Sequence, residues 1–203
     1  GFSSNAEIND STIGRVIKAS SENASFLNKK SKSSCGLILP EDIYNYELNL
    51  STNKNKNSNA YWISFIKDLD NYIENKYKNV SSRRIFMSSL DMEKNLITSI
   101  GSESYSLTPR ALLYIVLTVN NNGEPTELMD VFGGLGQLED NFINVEYYYS
   151  KIDELVDKLI KKSNGVHARA GYRDVVLDAD LAGILAHEAI GHTAEADFVL
   201  GGS

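Results

Sequence analysis

Apolar positions along this chain change period twice, and the changes mark out its elements. Ile13, Val16, Ile17 and Ala24 share one face at helical spacing. Asn9, Asp10 and Ser11 precede them with oxygen-bearing side chains, so a helix is predicted over residues 11–27. Residues 28–34 are polar and basic and read as a loop. Residues 51–59 contain no apolar side chain (Ser-Thr-Asn-Lys-Asn-Lys-Asn-Ser-Asn). Such a stretch cannot bury surface to offset its ordering entropy, so a mobile loop is expected. Trp62, Ile66, Leu69, Ile73 and Tyr77 then recur at helical spacing, with Lys67, Asp68 and Asp70 between them. This amphipathic stripe reads as core and not as a ligand box.

From Arg83 to Gly134 the period becomes that of strands. Residues 84–89 and 96–102 read as two strands joined by a polar turn. Residues 112–119 are nearly all apolar and rich in β-formers, which predicts a central, well-covered strand. Asn120-Asn121-Asn122-Gly123 is a turn signal, and 126–132 returns. The sum is an α+β fold, an antiparallel β-meander packed with amphipathic helices. Gly133-Gly134-Leu135-Gly136 fits neither the dinucleotide fingerprint nor the lysine-containing phosphate loop, so a glycine-rich turn is the better assignment.

Residues 150–164 form the cleanest helical pattern. Ser150 offers a cap, Ile152, Leu155, Val156, Leu159 and Ile160 form the stripe, and Gly165 can end it. Residues 165–171 read as a linker in which His167 is an ordinary exposed histidine. Asp174-Val175-Val176-Leu177 is predicted as a short strand. Asp178 or Asp180 then caps a helix carrying Leu181, Ile184 and Leu185.

That helix leads into the candidate chemistry. Two of the three histidines in the 203 residues fall in His187-Glu188-Ala189-Ile190-Gly191-His192. Imidazole is a favoured zinc ligand, and a neighbouring carboxylate can take a proton from metal-activated water. The usual zinc helix spaces its histidines four apart, on one face. Here the spacing is five, which at about 100° per residue separates the side chains by about 140° on a regular helix. A π-bulge would bring the rings together, and Gly191 suits such a distortion. Zinc in a catalytic site keeps three protein ligands and one water. Glu195 and Asp197 follow closely. Either could be the third ligand, a partner orienting an imidazole, or a solvated acid. The alternative to metal binding is a pair of structural histidines.

Composition narrows the partners. Twenty Lys and Arg against 27 Asp and Glu give a net charge of −7, which argues against nucleic acid. The longest apolar stretch, 111–119, is too short to span a membrane as a helix. A single cysteine, Cys35, excludes an internal disulfide, favours a cytoplasmic setting, and reads as a small buried residue.

The segment Asp174-Val175-Val176-Leu177-Asp178, Ala182-Gly183-Ile184-Leu185-Ala186-His187-Glu188-Ala189-Ile190-Gly191-His192 and Glu195-Ala196-Asp197 resembles the TldD/PmbA family. That family, once called modulators of DNA gyrase, comprises zinc-dependent peptidases and inactive relatives. Gly1-Phe2-Ser3-Ser4 resembles the end of the family's early strand. The resemblance implies an N-terminal α+β domain over 1–168 with its start missing, and over 169–203 the beginning of a metallopeptidase domain. It implies His187 and His192 as zinc ligands and Glu188 as general base. A distant cysteine beyond Ser203 is the implied third ligand. Family members act as dimers of related subunits on unfolded or extended peptides. The intact motif places this chain with the catalytic, TldD-type subunit, and the fragment alone is expected to be inactive. The rival is a non-catalytic structural or interaction subunit of the same family.

Overall fold

The structure is a computed structural model that describes residues 1–30, 42–121 and 123–195. In chain order it contains α1 (Asp10–Lys30), β1 (Asn45–Asn49), α2 (Asn59–Lys76), β2 (Val80–Ile97), β3 (Glu103–Asn121), β4 (Glu124–Leu135), α3 (Leu138–Asn141), α4 (Tyr147–Ser163) and α5 (Ala179–Ala186). This is a mixed α+β arrangement, as the periodicity predicts. Cys35 and Asp197 lie outside the described residues, as does Asn122 of the predicted turn.

The four strands form one sheet with β3 at its centre, flanked by β2 and paired also with β1 and β4. Short turns join β2 to β3 and β3 to β4, which fixes both pairs as antiparallel, because a parallel pair needs a long crossover. The sheet is not a pure meander, however. β1 pairs parallel with the start of β3, from Asn45↔Glu103 to Asn49↔Leu107. Leu50 N–H then donates to Leu107 O, and Gly136 N–H to Pro109 O. Carbonyls two residues apart point the same way along a strand, so β1 and β4 occupy one edge of β3 in succession.

The chain divides into two compact units, and β2, β3 and β4 each supply a stretch to both. The first unit comprises 1–59, 87–113 and 132–143. Asn9 caps α1: its Oδ1 accepts from Thr12 N–H, and Thr12 Oγ1 accepts from Asn9 N–H, each at 3.0 Å. The predicted polar turn before residue 96 is absent. Leu90 and Met92 continue the strand alternation, so the two predicted strands are one. The turn falls at residues 98–102 instead, where Thr98 N–H donates to Ser102 O at 3.0 Å and Gly101 adopts φ 94°. The predicted glycine turn also shifts. Gly133 and Gly134 lie inside β4, and a Cβ on Gly133 would sit 2.1 Å from the Ala111 carbonyl oxygen. Close backbone approach, not a turn, demands glycine there.

The polar stretch 51–58 has no regular structure, but it is anchored to α3 by specific bonds. Thr52 Oγ1 donates to Asp140 Oδ1 at 2.7 Å, Lys54 Nζ to Glu139 O at 2.9 Å, and Asn57 N–H to Glu139 Oε1 at 2.7 Å. The Thr52 hydroxyl, the Gln137 N–H and Lys54 hold the Asp140 carboxyl below its ordinary pKa. Hydrogen bonds to a charged group here replace the apolar burial that the stretch lacks.

The second unit comprises 60–86, 114–131 and 144 onward. Its buried side chains come from α2 (Trp62, Phe65, Leu69, Ile73), β3 (Ile115, Val116, Leu117, Val119) and α4 (Tyr148, Ile152, Leu155, Val156, Leu159). Phe65, not the predicted Ile66, joins the buried stripe of α2. α4 starts three residues before the predicted Ser150 cap, and Ser150 Oγ donates to Tyr147 O inside the helix. The earlier start brings Tyr148 against Phe65 and stacks Tyr149 on Tyr72, with ring centroids 5.9 and 4.0 Å apart. Asp153 of α4 ties the helices together. It accepts from Tyr72 at 2.8 Å, from Lys76 at 2.7 Å and from Tyr77. Residues 174–177 form no strand. Val175 and Val176 are exposed, so apolar composition alone does not make a strand there.

Candidate metal centre

The motif sits where α5 changes its winding. Asp178 begins the helix: its Oδ1 accepts from Leu181 N–H and its carbonyl from Ala182 N–H, both at 2.9 Å. Of the two predicted caps, Asp178 is the one used. Regular α-helix runs through Ala186, and residues His187–Gly191 then form a π turn. The N–H of His192 donates to the carbonyl of His187. That bond spans five residues, the π-helical pattern. A spacing of five, which a regular helix would splay apart, therefore becomes one turn. A short 3₁₀ turn, His192–Ala194, ends the helix, closed by Glu195 N–H donating to His192 O at 3.2 Å.

The winding brings the predicted groups together. The His187 and His192 ring centroids lie 4.5 Å apart at 74°. Glu188 Oε2 is 3.6 Å from His192 Nε2, and Glu195 Oε1 is 2.5 Å from His192 Nδ1. Among the described residues, His187, Glu188 and His192 form a donor cluster whose ligand atoms all lie within 4.8 Å of one another. His187 and Glu188 are exposed and His192 half-buried. His167 is exposed and belongs to no such cluster.

The donors suit a zinc-type ion. Ligands bound to one ion at about 2.0–2.2 Å stand at most about 4.4 Å apart, so a small side-chain adjustment closes the set. The two imidazoles are the donors such an ion favours, and the Glu188 carboxylate stands beside them. Gly191 plays a smaller part than its position suggests. Its angles, φ −59° and ψ −56°, are ordinary right-handed helix, and a Cβ there would rest 3.7 Å from His187 Nδ1. The π turn therefore leaves room for a side chain at this position.

No protein-family model matches the chain. It is similar to a metalloprotease of Methanocaldococcus jannaschii, 29% identical over 126 residues, which are 61% of this chain and 24% of that protein. It is also similar to a metalloprotease of Archaeoglobus fulgidus, 45% identical over 53 residues, 26% of this chain and 12% of that protein. The chain spans about a quarter of the first relative's length and about an eighth of the second's.

Proposed function

We propose that this chain carries the metal-binding helix of a zinc-dependent peptidase of the TldD/PmbA type, acting on unfolded or extended peptides. The observation that supports it best is the π turn, which sets His187, Glu188 and His192 within ligand reach of one another. Similarity to two archaeal metalloproteases supports the same reaction class. In this proposal residues 1–168 form the N-terminal domain, and 169–203 begin the metallopeptidase domain. The family resemblance assigns the third ligand to a cysteine elsewhere in the whole protein. It also implies a homologous partner subunit, and the single cysteine favours a cytoplasmic setting. Among the described residues no helix is long and apolar enough to cross a membrane.

His187 and His192 would hold the ion, and zinc bound there would supply Lewis acidity to a water and to the scissile carbonyl. Glu188, next to His187 and 3.6 Å from His192 Nε2, takes the proton of the attacking water and returns it to the leaving amine. The competing role is a non-catalytic subunit of the same family.

The test is zinc content of the full-length protein purified without chelator, beside His192→Ala and Glu188→Gln. About one zinc per chain is expected in wild type and in Glu188→Gln, and none in His192→Ala. Peptide cleavage with the partner subunit should fall at least about 10²-fold in Glu188→Gln. Zinc retained without cleavage in wild type would establish the non-catalytic role. Zinc absent from wild type would leave the histidines structural.

A further inference from the structure

We infer that Glu195 is a positioning residue that fixes His192 as the tautomer protonated at Nδ1, leaving Nε2 as the atom that binds metal. The inference rests on the metal-site reading above and assigns a role to a carboxylate outside the six-residue motif. A neutral imidazole carries its proton on one nitrogen only. The His192 ring nitrogens face two different carboxylates, Glu195 at Nδ1 and Glu188 at Nε2. The contacts are unequal. Glu195 Oε1 lies 2.5 Å from Nδ1, a short hydrogen bond, whereas Glu188 Oε2 lies 3.6 Å from Nε2, beyond bonding range. An ionised carboxylate only accepts, so the N–H belongs at Nδ1 and the bare lone pair at Nε2. Nε2 is also the nitrogen that turns toward Glu188, a member of the donor cluster.

The backbone builds this contact. After the π turn the chain tightens into 3₁₀ winding, and the Glu195 N–H donates to the His192 carbonyl. Three-residue winding eclipses side chains at i and i+3, which sets Glu195 beside His192. Glu195 itself leaves the helix with φ −66° and ψ 135°, which ends the helix at that contact. The π turn thus aligns His192 with His187, and the 3₁₀ turn that follows orients its ring. With its oxygen already bonded at Nδ1, Glu195 serves as the orienting partner of His192 and not as the third ligand. Such partners stiffen the ring and raise its basicity toward metal.

Two measurements on the full-length protein test this. The first is zinc affinity of wild type, Glu195→Gln and Glu195→Ala, by competition with a chromogenic chelator. Glu195→Ala should bind zinc about 10–100-fold more weakly. Glu195→Gln keeps an acceptor oxygen and should recover most of that loss. The second is the ¹⁵N spectrum of His192 in the metal-free protein, above the ordinary imidazole pKa of about 6.5. Wild type and Glu195→Gln should show the Nδ1–H form, and Glu195→Ala a mixture dominated by Nε2–H. An Nε2–H tautomer in wild type overturns the inference, as does unchanged affinity and tautomer in Glu195→Ala. Equal and complete zinc loss in both variants would make Glu195 a ligand instead. If wild type binds no zinc, the peptidase reading fails, and the tautomer alone still decides the role of Glu195.

Discussion

Two parts of the second unit are built on opposite principles. Helices α2 and α4 bury a continuous apolar set, with Leu69, Ile73, Ile152 and Leu159 fully covered. The segment from α5 through the π turn buries nothing, and Leu181, Ile184, Leu185 and Ile190 are 50–68% exposed. The helix pair is fixed by side chains excluded from water, worth about 1.5–3 kcal/mol for each fully buried aliphatic group. The motif is fixed by backbone register, through one cap at Asp178, one five-residue hydrogen bond at His192 and one three-residue bond at Glu195. Among the described residues the core and the motif share no buried side chain, so substitutions in the one should leave the other unchanged.

The largest separation is expected from the core. Leu69→Ala and Ile152→Ala each remove a fully buried side chain between well-packed neighbours. Each should lower unfolding free energy by about 2–5 kcal/mol in urea titrations. Below the unfolding transition, zinc stoichiometry of the full-length protein should stay at the wild-type value. Loss of zinc in a still-folded Leu69→Ala protein would show that the site draws on the core after all.

A smaller effect is expected at Asp153, where the helices are joined by polar groups. Burial pushes its carboxyl upward, but hydrogen bonds from Lys76, Tyr77 and Tyr72 outweigh it and hold the pKa below the ordinary value. A depressed carboxyl stabilises the fold above its unfolded pKa of about 3.9 and loses that contribution as pH falls through the folded value. Tyr77 carries the opposite sign: burial, then the Asp153 bond, pushes its hydroxyl up to about 12. Its contribution is present below about pH 10 and fades as pH rises toward 12. Asp153→Asn should thus destabilise by about 1–2 kcal/mol at neutral pH. The gap to wild type should shrink below about pH 4 and again under alkaline conditions. A gap independent of pH would assign the effect to packing of the tyrosines.

What the sequence discloses follows the same division. Elements that bury a face announce it: Ile115, Val116, Leu117 and Val119 mark the middle of β3, and Ile152, Leu155, Val156 and Leu159 mark α4. Elements held by distant backbone do not. β1 is an exposed five-residue strand whose partner lies almost sixty positions away, and nothing in Asn45-Tyr46-Glu47-Leu48-Asn49 names Glu103–Leu107. Gly133 reads locally as a turn residue because the carbonyl it must approach belongs to Ala111. Asp91, Glu93 and Lys94 suggest a turn by composition, yet they lie in a stretch of β2 that is exposed on both faces. The candidate site was legible because its information is local. A histidine spacing of five needs a π turn to bring the rings together, and Asp178 and Glu195 lie within ten residues of the motif's first histidine. What the sequence leaves open is the part Gly191 plays in the distortion.

That question supplies the smallest and most discriminating prediction. If Gly191 were needed for the π turn, any side chain there would restore regular winding and separate the two imidazoles. The geometry says otherwise. At φ −59° and ψ −56° alanine is unstrained, and its methyl would meet His187 Nδ1 and Cγ at 3.7 and 3.9 Å, ordinary contact distances. Alanine also loses less backbone entropy than glycine on becoming helical, by up to about 1 kcal/mol. Gly191→Ala should therefore leave zinc affinity within about threefold of wild type, since 1.4 kcal/mol corresponds to about tenfold. Helix-end amide exchange should slow slightly, on the order of 0.4–1 kcal/mol. Slower exchange together with lost zinc would mean that alanine favours a regular α-helix at the expense of the π turn. The five-residue hydrogen bond would then be marginal against regular winding, and glycine would be the residue that keeps it.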